Sequence, residues 1–348
     1  MLAFTSSKVY GHLLASDQVF VQYGIKRSEI MTINQGLLLG LLLLPTVFKF
    51  LLKIREHFVC TAYPGGWMDN EIGKSFIFYS SLAIISIVIV PSWMQFVQEF
   101  HSHPFIWVML FVISEPLKRL SLCLYWITVI YVSAVRCYYI SKNSKIERIL
   151  LRKYYHLLAV SMFLPALIFQ PKFLDLAFGA ALAVFLALEI IRVWRIRPLG
   201  QPVHQFMNAF TDHRDSDVLI VSHFSLLLGC ALPIWMSSGS NDRPLAPFAG
   251  ILSLGIGDTM ASVVGHKYGV LRWSKAGKKT IEGTAAGITS VLAACSVILP
   301  LLASTGYIVS QHWLSLLVAV MVSGLLEAYT AQLDNAFIPL VFYSLLCL

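Results

Sequence analysis

Long apolar runs separated by short polar loops repeat along almost the whole chain. A helix needs roughly 20 mostly apolar residues to cross a bilayer. Nine runs approach or meet that length, at about 32–52, 76–97, 119–140, 174–191, 218–237, 246–265, 285–303, 313–331 and 336–348. Two shorter runs, at 104–116 and 155–170, either span the membrane or re-enter it. The pattern predicts an all-α fold, a polytopic transmembrane helical bundle with nine to eleven membrane segments.

Composition supports the bilayer as the solvent of these helices. Of the 348 residues, 57% are hydrophobic and 13% are charged, whereas soluble domains carry about 25% charged residues. The mean hydropathy is +0.73. These values exclude a disordered chain, a nucleic-acid-binding arm and an ordinary cytosolic enzyme. The six cysteines stand singly, without the spacing of a metal site, and we expect them to be reduced packing residues.

Lysine and arginine concentrate in three loops, at 141–153, 192–214 and 266–283. The loops at 238–245 and 304–312 contain one basic residue and none, respectively. The positive-inside rule then places the three basic loops in the cytoplasm. Loops of this kind, and not a nucleic-acid surface, account for the net charge of +8.

The N-terminal part of the chain, 1–140, gives no clear orientation. Four basic residues fall on the wrong side of the membrane: Lys53, Arg55, Lys118 and Arg119. The first long apolar run begins near Gly36 and has no cleavage site after it, which predicts a retained membrane helix. We therefore divide the chain into N-terminal membrane helices of unclear role, 1–140, and a second membrane region, 141–348, with a cytoplasmic loop at 266–283.

Asp258 is the clearest ionisable group within an apolar segment. Such groups are costly in a bilayer and are candidates for function by default. The same helix face carries small residues: Gly250, Ser253, Gly257, Ala261 and Gly265. A stripe of this kind lets another helix or a ligand approach closely. The alternative is an aspartate that pairs with a buried lysine or arginine for packing. Glu189 and Arg192, three residues apart, predict an intrahelical ion pair at a helix end.

The segment Gly269–Thr284 is basic and punctuated by glycine. Glycines let backbone N–H groups face an anion, and paired lysines supply positive charge for phosphate. This is not a Walker A loop, because Lys279 stands where Ser or Thr follows the lysine of that motif. Glu282 lies within four residues of the pair Lys278–Lys279, which favours a phosphate and metal site over an ordinary basic loop.

Two further polar patches lie on the same predicted membrane face. Glu327 and Asp334 are seven residues apart and share one face if the helix continues, which suits Mg²⁺; capping of a turn is the alternative. The segment Arg152–His156 begins an apolar run, where basic and aromatic residues are normally interfacial anchors. The convergence of all patches indicates a site for a phosphorylated, metal-bound substrate in surroundings suited to a lipid.

Six segments resemble the polyprenol kinase family and, within it, the eukaryotic CTP-dependent dolichol kinases. They are Arg152–His156, Arg195–Gly200, Ser222–Trp235, Gly257–Gly265, Lys278–Thr284 and Leu326–Asn335. The resemblance covers about 148–348, and the combination of Gly-Asp with Lys-Lys-Thr-x-Glu-Gly-Thr is its most specific part.

This resemblance implies transfer of the γ-phosphate of CTP to the terminal hydroxyl of dolichol. The product is dolichyl phosphate for protein N-glycosylation. The expected location is the endoplasmic reticulum membrane, with the active site facing the cytoplasm, and the expected partners are the dolichol or polyprenol lipid and the membrane. The implied nucleotide-binding residues are Gly269, Arg272, Trp273, Gly277, Lys278, Lys279, Thr280, Glu282 and Gly283.

Phosphoryl transfer depends mainly on positioning and on neutralisation of charge. We assign catalytic roles on that basis to Asp258, Arg152, Lys153 and His156. Mg²⁺, or another divalent cation, is assigned to Asp258, Glu282 and Asp334. The general base stays open between Asp258 and His156.

Two other functions use the same residue types. A CTP-dependent lipid cytidylyltransferase also needs basic loops and metal-binding carboxylates, but it transfers a different part of the nucleotide. A multi-spanning transporter would use the carboxylates as an ion path, and it predicts polar groups spread through the membrane depth and inverted repeats. The polar groups here gather at one face and no repeat is visible.

Overall fold

The computed structural model describes residues 27–62, 70–97, 103–143, 148–208, 221–237, 243–274, 279–304, 313–330 and 334–348. Within these ranges the chain is almost entirely helical, as the apolar pattern predicts. The first eight helices are α1 (Arg27–Ala62), α2 (Asn70–Ile84), α3 (Val90–Val97), α4 (Pro104–Ser114), α5 (Pro116–Asn143), α6 (Arg148–Phe169), α7 (Pro171–Trp194) and α8 (Gly200–Asn208). The remaining five are α9 (Val221–Met236), α10 (Thr259–Tyr268), α11 (Ile281–Ser304), α12 (Trp313–Tyr329) and α13 (Asp334–Cys347).

Five helical stretches are long and apolar enough to cross a membrane. They are Glu29–His57, Glu71–Val97, Pro116–Arg136, Pro171–Trp194 and Ile281–Ser304. Five shorter apolar helices accompany them, at Pro104–Ser114, Lys153–Phe169, Phe224–Met236, Trp313–Tyr329 and Asn335–Cys347. The structure therefore supports a polytopic helical membrane protein, whereas the predicted count of nine to eleven segments is not confirmed.

The chain forms two compact units, and neither is continuous in sequence. Described residues of the first unit come from Glu115–Asp175 and Ser225–Leu348, and those of the second from Tyr23–Ser114 and Leu176–Phe224. This grouping differs from a simple boundary at residue 140, because α5 runs through that residue. The predicted division of roles between the two parts of the chain stays a prediction.

In the first unit, helical residues surround a segment that is not a regular α-helix. The apolar run predicted at 246–265 begins with a 3₁₀ turn, Ala246–Phe248, and continues as a π-helix, Ile251–Asp258, before α10. Helix α6 packs on the π-helix, and α11 packs on both the π-helix and α10. Short π-helical segments often mark functional sites, and this one ends at Asp258.

Small residues permit the close packing around this segment. A Cβ at Gly250 would lie 2.1 Å from the carbonyl oxygen of Gly229 in α9. A Cβ at Gly283 in α11 would lie 2.5 Å from the carbonyl oxygen of Ala261. The stripe was predicted to receive another helix or a ligand, and helices on two sides approach it to backbone contact.

Lys118 and Arg119, two of the basic residues that depart from the basic-loop pattern, both have partners in the structure. Arg119, at the start of α5, is 1% exposed, and its Nε donates to Gln170 Oε1 at 3.5 Å. Lys118 Nζ lies 3.0 Å from Glu115 Oε2, which also accepts a hydrogen bond from Gln170 at 2.9 Å. The buried Arg119 is therefore not a free cation in a loop, and the exposed Lys118 is paired with a neighbouring carboxylate.

The second unit contains the predicted pair of Glu189 and Arg192 in α7. Arg192 donates from Nε and from a terminal nitrogen to the two carboxylate oxygens of Glu189, at 2.8 and 2.7 Å. Both residues are buried. The prediction of an intrahelical ion pair is confirmed, and the bidentate geometry satisfies charges that would otherwise be costly in a low-dielectric interior.

Candidate active site

Asp258 lies at the junction of the π-helix and α10, where two basic side chains of α6 reach it. Lys153 Nζ donates to Asp258 Oδ2, and His156 Nδ1 lies 3.1 Å from the same oxygen. Because the two residues are three positions apart, they share one face of α6. Lys153 is 7% exposed and His156 is 6% exposed, so the cluster is shielded from solvent.

The neighbours of His156 define which of its ring nitrogens carries hydrogen. Nδ1 lies 3.2 Å from the carbonyl oxygen of Leu254 and 3.1 Å from the carboxylate of Asp258. Both neighbours are acceptors, so Nδ1 is the donor. The Nε2 atom is then an acceptor in the neutral ring and a donor in the charged ring, and proton transfer by His156 would use this atom.

A second carboxyl group enters the site from α12. The Glu327 side chain lies close enough to Asp258 to interact with it, and the charges of Lys279 and Lys153 act on it. Two ionised carboxylates at such a distance repel each other, and a proton or a bound cation between them relieves the repulsion. The site thus combines two carboxyl groups with two lysines and one histidine. Helix α6 supplies Lys153 and His156, the π-helix supplies Asp258 and α12 supplies Glu327. The second lysine, Lys279, stands two residues before α11.

The segment that precedes α11 forms a small hairpin against the ends of α10 and α12. Arg272 and Thr280 make an isolated antiparallel bridge, and Ile281 N donates to Leu271 O at 2.8 Å. Trp273 N donates to Lys279 O at 3.2 Å. Residues 271–273 and 279–281 are therefore paired, whereas the sequence predicts only a loop there.

Thr280 occupies the centre of the predicted glycine-rich cradle. Its Oγ1 accepts a hydrogen bond from Gly283 N at 3.2 Å, which caps the start of α11. A Cβ at Gly265, Gly269 or Gly283 would lie within 3.0 Å of that oxygen. The glycines in the described part of the loop thus make room for Thr280, and their role in phosphate binding stays a prediction.

Glu282 and Trp273 are engaged within the same hairpin. The Glu282 carboxylate accepts a hydrogen bond from Leu271 N, with its two oxygens at 3.0 and 3.2 Å. Trp273 Nε1 donates to Thr284 Oγ1 at 2.9 Å, and the indole lies 5.5 Å from the Tyr329 ring. These contacts give Glu282 a role in closing the hairpin.

The structure brings together three of the four predicted catalytic residues: Asp258, Lys153 and His156. The side chain of the fourth, Arg152, lies outside the described part of the molecule, as do Gly277 and Lys278. Among the described residues, no group of three or more His, Cys, Asp or Glu side chains is arranged to hold a metal ion. The metal set of Asp258, Glu282 and Asp334 stays a prediction, and the side chain of Asp334 is not among those described.

The sequence makes Glu327 a candidate Mg²⁺ ligand, but it does not predict the neighbour that Glu327 has in the structure. The sequence pairs it with Asp334 across one helix face, whereas the structure brings its carboxyl to Asp258. The signal was present, because Glu327 is the one acidic residue in the apolar run 313–331. The partner was not predictable, since the contact joins segments about 70 residues apart in sequence.

Comparison with known proteins shows the family to which the chain belongs. The family profile described as dolichol kinase matches residues 10–299. This chain is a member of the dolichol kinase family. The match extends into the N-terminal helices, beyond the region 148–348 in which the sequence motifs lie. No solved structure matches the chain.

Named relatives agree with membership of the dolichol kinase family. The chain is 70% identical over 347 residues to "Dolichol kinase EVAN" of Arabidopsis thaliana, which covers 100% of this chain and 61% of that protein. It is 35% identical over 340 residues to dolichol kinase of Homo sapiens, covering 92% of this chain and 61% of the relative. With dolichol kinase of Saccharomyces cerevisiae the identity is 30% over 240 residues, covering 68% and 43%. The chain thus spans about 61% of the length of the first two relatives.

Proposed function

We propose that this chain transfers the γ-phosphoryl group of CTP to the terminal hydroxyl of dolichol and forms dolichyl phosphate. The observation that carries the proposal is the shielded cluster of Asp258, Lys153, His156 and Glu327 in a helical membrane protein of the dolichol kinase family. Carboxyl, ammonium and imidazole groups supply the charge and the proton acceptors that phosphoryl transfer needs.

The reaction joins the lipid oxygen to the γ-phosphorus and breaks the bond between that phosphorus and the bridging oxygen of the CDP leaving group. The hydroxyl proton passes to Asp258 or to Nε2 of His156, between which the general base stays open. Lys153 neutralises negative charge on the carboxylate and, together with Arg152, on the transferred group. Positioning and charge neutralisation do most of the work in a reaction of this type.

The carboxyl pair of Asp258 and Glu327 fits a divalent cation. Mg²⁺ is usually bound by one or two carboxylates, substrate phosphates and water, and the two carboxyl groups of this pair lie close enough to interact. Mg²⁺ bound there would neutralise charge on the nucleotide phosphates. Asp258 belongs to the metal set expected from the sequence, and Glu327 is the residue that the sequence paired with Asp334 as a second candidate for Mg²⁺.

The nucleotide is proposed to approach from the side of the hairpin, with Lys278 as a phosphate contact. The proposed location is the endoplasmic reticulum membrane with the active site facing the cytoplasm, and the proposed role of the product is as the lipid carrier of protein N-glycosylation. The basic loops at 141–153 and 266–283 support this orientation, because the positive-inside rule places both on the cytoplasmic side.

A lipid-labelling assay tests the function. Membranes containing the 348-residue chain would receive dolichol, Mg²⁺ and CTP labelled at either the γ- or the α-phosphate, with γ-labelled ATP for comparison. A dolichol kinase gives labelled dolichyl phosphate from γ-labelled CTP alone. Lipid labelled from the α-phosphate would assign a cytidylyltransferase instead, and no labelled lipid from correctly inserted chain would contradict both enzyme functions.

A further inference from the structure

Lys279 makes its contacts at the end of α12. Its ammonium group donates to the carbonyl oxygens of Glu327 and Thr330, the latter at 3.0 Å. An ammonium group has three hydrogens, so these carbonyls engage two of them. A lysine held in this way differs from the phosphate ligand that the sequence predicts.

The end of a helix is a favourable place for such a lysine. The last carbonyl groups of a helix lack partners within the helix, and the helix dipole gives them partial negative charge. Helix α12 ends at Tyr329, so Lys279 satisfies carbonyls of its last turn and of the residue just after it. One of these carbonyls belongs to Glu327, whose carboxyl group is the one at Asp258.

A second contact holds the same turn. The Trp273 indole lies 5.5 Å from the ring of Tyr329, and its Nε1 is fixed by a hydrogen bond of 2.9 Å to Thr284 Oγ1. Trp273 N also donates to Lys279 O at 3.2 Å. The hairpin therefore contacts the end of α12 through Lys279 and Trp273, and these two residues are hydrogen-bonded to each other.

We propose that Lys279 is a positioning residue and that, with Trp273, it holds the last turn of α12 so that the Glu327 carboxyl stays at Asp258. This inference rests on the proposed function for its kinetic consequence. We term this arrangement the α12 clasp; its members are Trp273, Lys279, Glu327, Tyr329 and Thr330. Because its two hairpin residues flank the proposed nucleotide loop, the clasp links the position of that loop to the assembly of the carboxyl pair.

The two roles of Lys279 predict different kinetics. Loss of a phosphate ligand weakens CTP binding and raises the KM for CTP. Loss of a positioning residue displaces Glu327 and lowers kcat, while CTP binding is retained. Displacement of a reacting group by about 1 Å can cost on the order of 100-fold in rate.

The test compares Lys279→Met and Lys279→Arg with Lys118→Met, an exposed lysine of α5 whose partner is Glu115. We expect Lys279→Met to lower kcat by roughly 10- to 100-fold with little change in the dissociation constant of CTP, measured without dolichol. Lys279→Arg should recover part of the rate, since a guanidinium also donates to carbonyl oxygens. Lys118→Met should behave as the unmodified chain.

Two measurements separate this proposal from the proposed function. Amide hydrogen exchange at residues 327–330 should become faster in Lys279→Met and in Trp273→Leu, whether or not the chain transfers phosphate. In the double variant Lys279→Met with Glu327→Gln, the loss of kcat should be no larger than in Glu327→Gln alone.

The positional role is overturned if Lys279→Met weakens CTP binding as much as it lowers kcat/KM and leaves exchange at residues 327–330 unchanged. Absence of transfer by the unmodified chain would contradict the proposed function, and the exchange measurement would still decide whether the clasp exists.

Discussion

At the scale of single residues, the site depends on one half-buried carboxylate and its partners. Asp258 was identifiable from sequence, because an aspartate in an apolar run is costly unless it is paired or used. Its pairing with Lys153 and His156 required the fold, since these residues are about 100 positions away. From the sequence alone, the basic and aromatic segment that contains Lys153 and His156 agrees as well with an interfacial anchor as with a catalytic site.

The pair of the buried Lys153 and the half-buried Asp258 allows a test that separates stability from activity. Lys153→Met leaves a shielded carboxylate without its closest cation, and we expect it to cost about 3–5 kcal/mol of stability. Adding Asp258→Asn removes the unpaired charge and should restore much of the thermal stability in detergent, but not phosphoryl transfer. Recovery of activity in the double variant would show that the pair is needed only for folding.

At the scale of elements, the apolar pattern predicted the helices better than their type. The π-helix Ile251–Asp258 has the composition expected of an α-helix. The spacing of its apolar residues does not distinguish a π-helix from an α-helix. The small-residue stripe was the more useful signal, because it predicted close contact at Gly250 and Ala261. The hairpin before α11 was missed, since its pairing rests on a single bridge between Arg272 and Thr280.

Close helix contact gives a prediction for Gly250→Ala. The added Cβ would lie 2.1 Å from the carbonyl oxygen of Gly229 and 2.7 Å from Cys230 Cα. Backbone must move to relieve these contacts, so we expect a loss of about 1–3 kcal/mol and a lower unfolding temperature in detergent.

Gly324→Ala is the matched control for that change. The atoms nearest to its added Cβ belong to the Ile288 side chain, at 2.6 and 3.1 Å, and a side chain moves more easily than backbone. A larger loss of stability in Gly324→Ala than in Gly250→Ala would contradict the proposed basis of the packing around the π-helix.

At the scale of the whole molecule, composition alone predicted a helical membrane protein, and the motifs predicted the family. The orientation of residues 1–140 could not be predicted from basic residues alone, and such a count does not show which of them have partners. Arg119 is buried against Gln170, and Lys118 is paired with Glu115. The two discontinuous units could not be predicted from the sequence either, since no linker marks their boundaries.

The proposed orientation predicts which loops are accessible from the cytoplasm. Ser274 lies in the basic loop at 266–283, and Ser240 lies in the loop at 238–245, which has one basic residue. Each serine is replaced by cysteine in a separate variant. In sealed endoplasmic reticulum vesicles, Ser274→Cys should react with a membrane-impermeant maleimide, and Ser240→Cys only after permeabilisation. The unmodified chain gives the background from the six native cysteines. Labelling of both positions in sealed vesicles would contradict the orientation.

The central claim is that the cluster around Asp258 transfers phosphate from CTP to dolichol. The most direct measurement compares γ-label transfer to dolichol by the unmodified chain, by Asp258→Asn and by Glu115→Gln, at matched amounts of folded protein. Glu115→Gln makes the same change of acid to amide at a carboxylate whose partners are Lys118 and Gln170. The account predicts transfer by the unmodified chain and by Glu115→Gln, and a loss of at least roughly 100-fold in Asp258→Asn. Transfer by Asp258→Asn at the rate of the unmodified chain would contradict it.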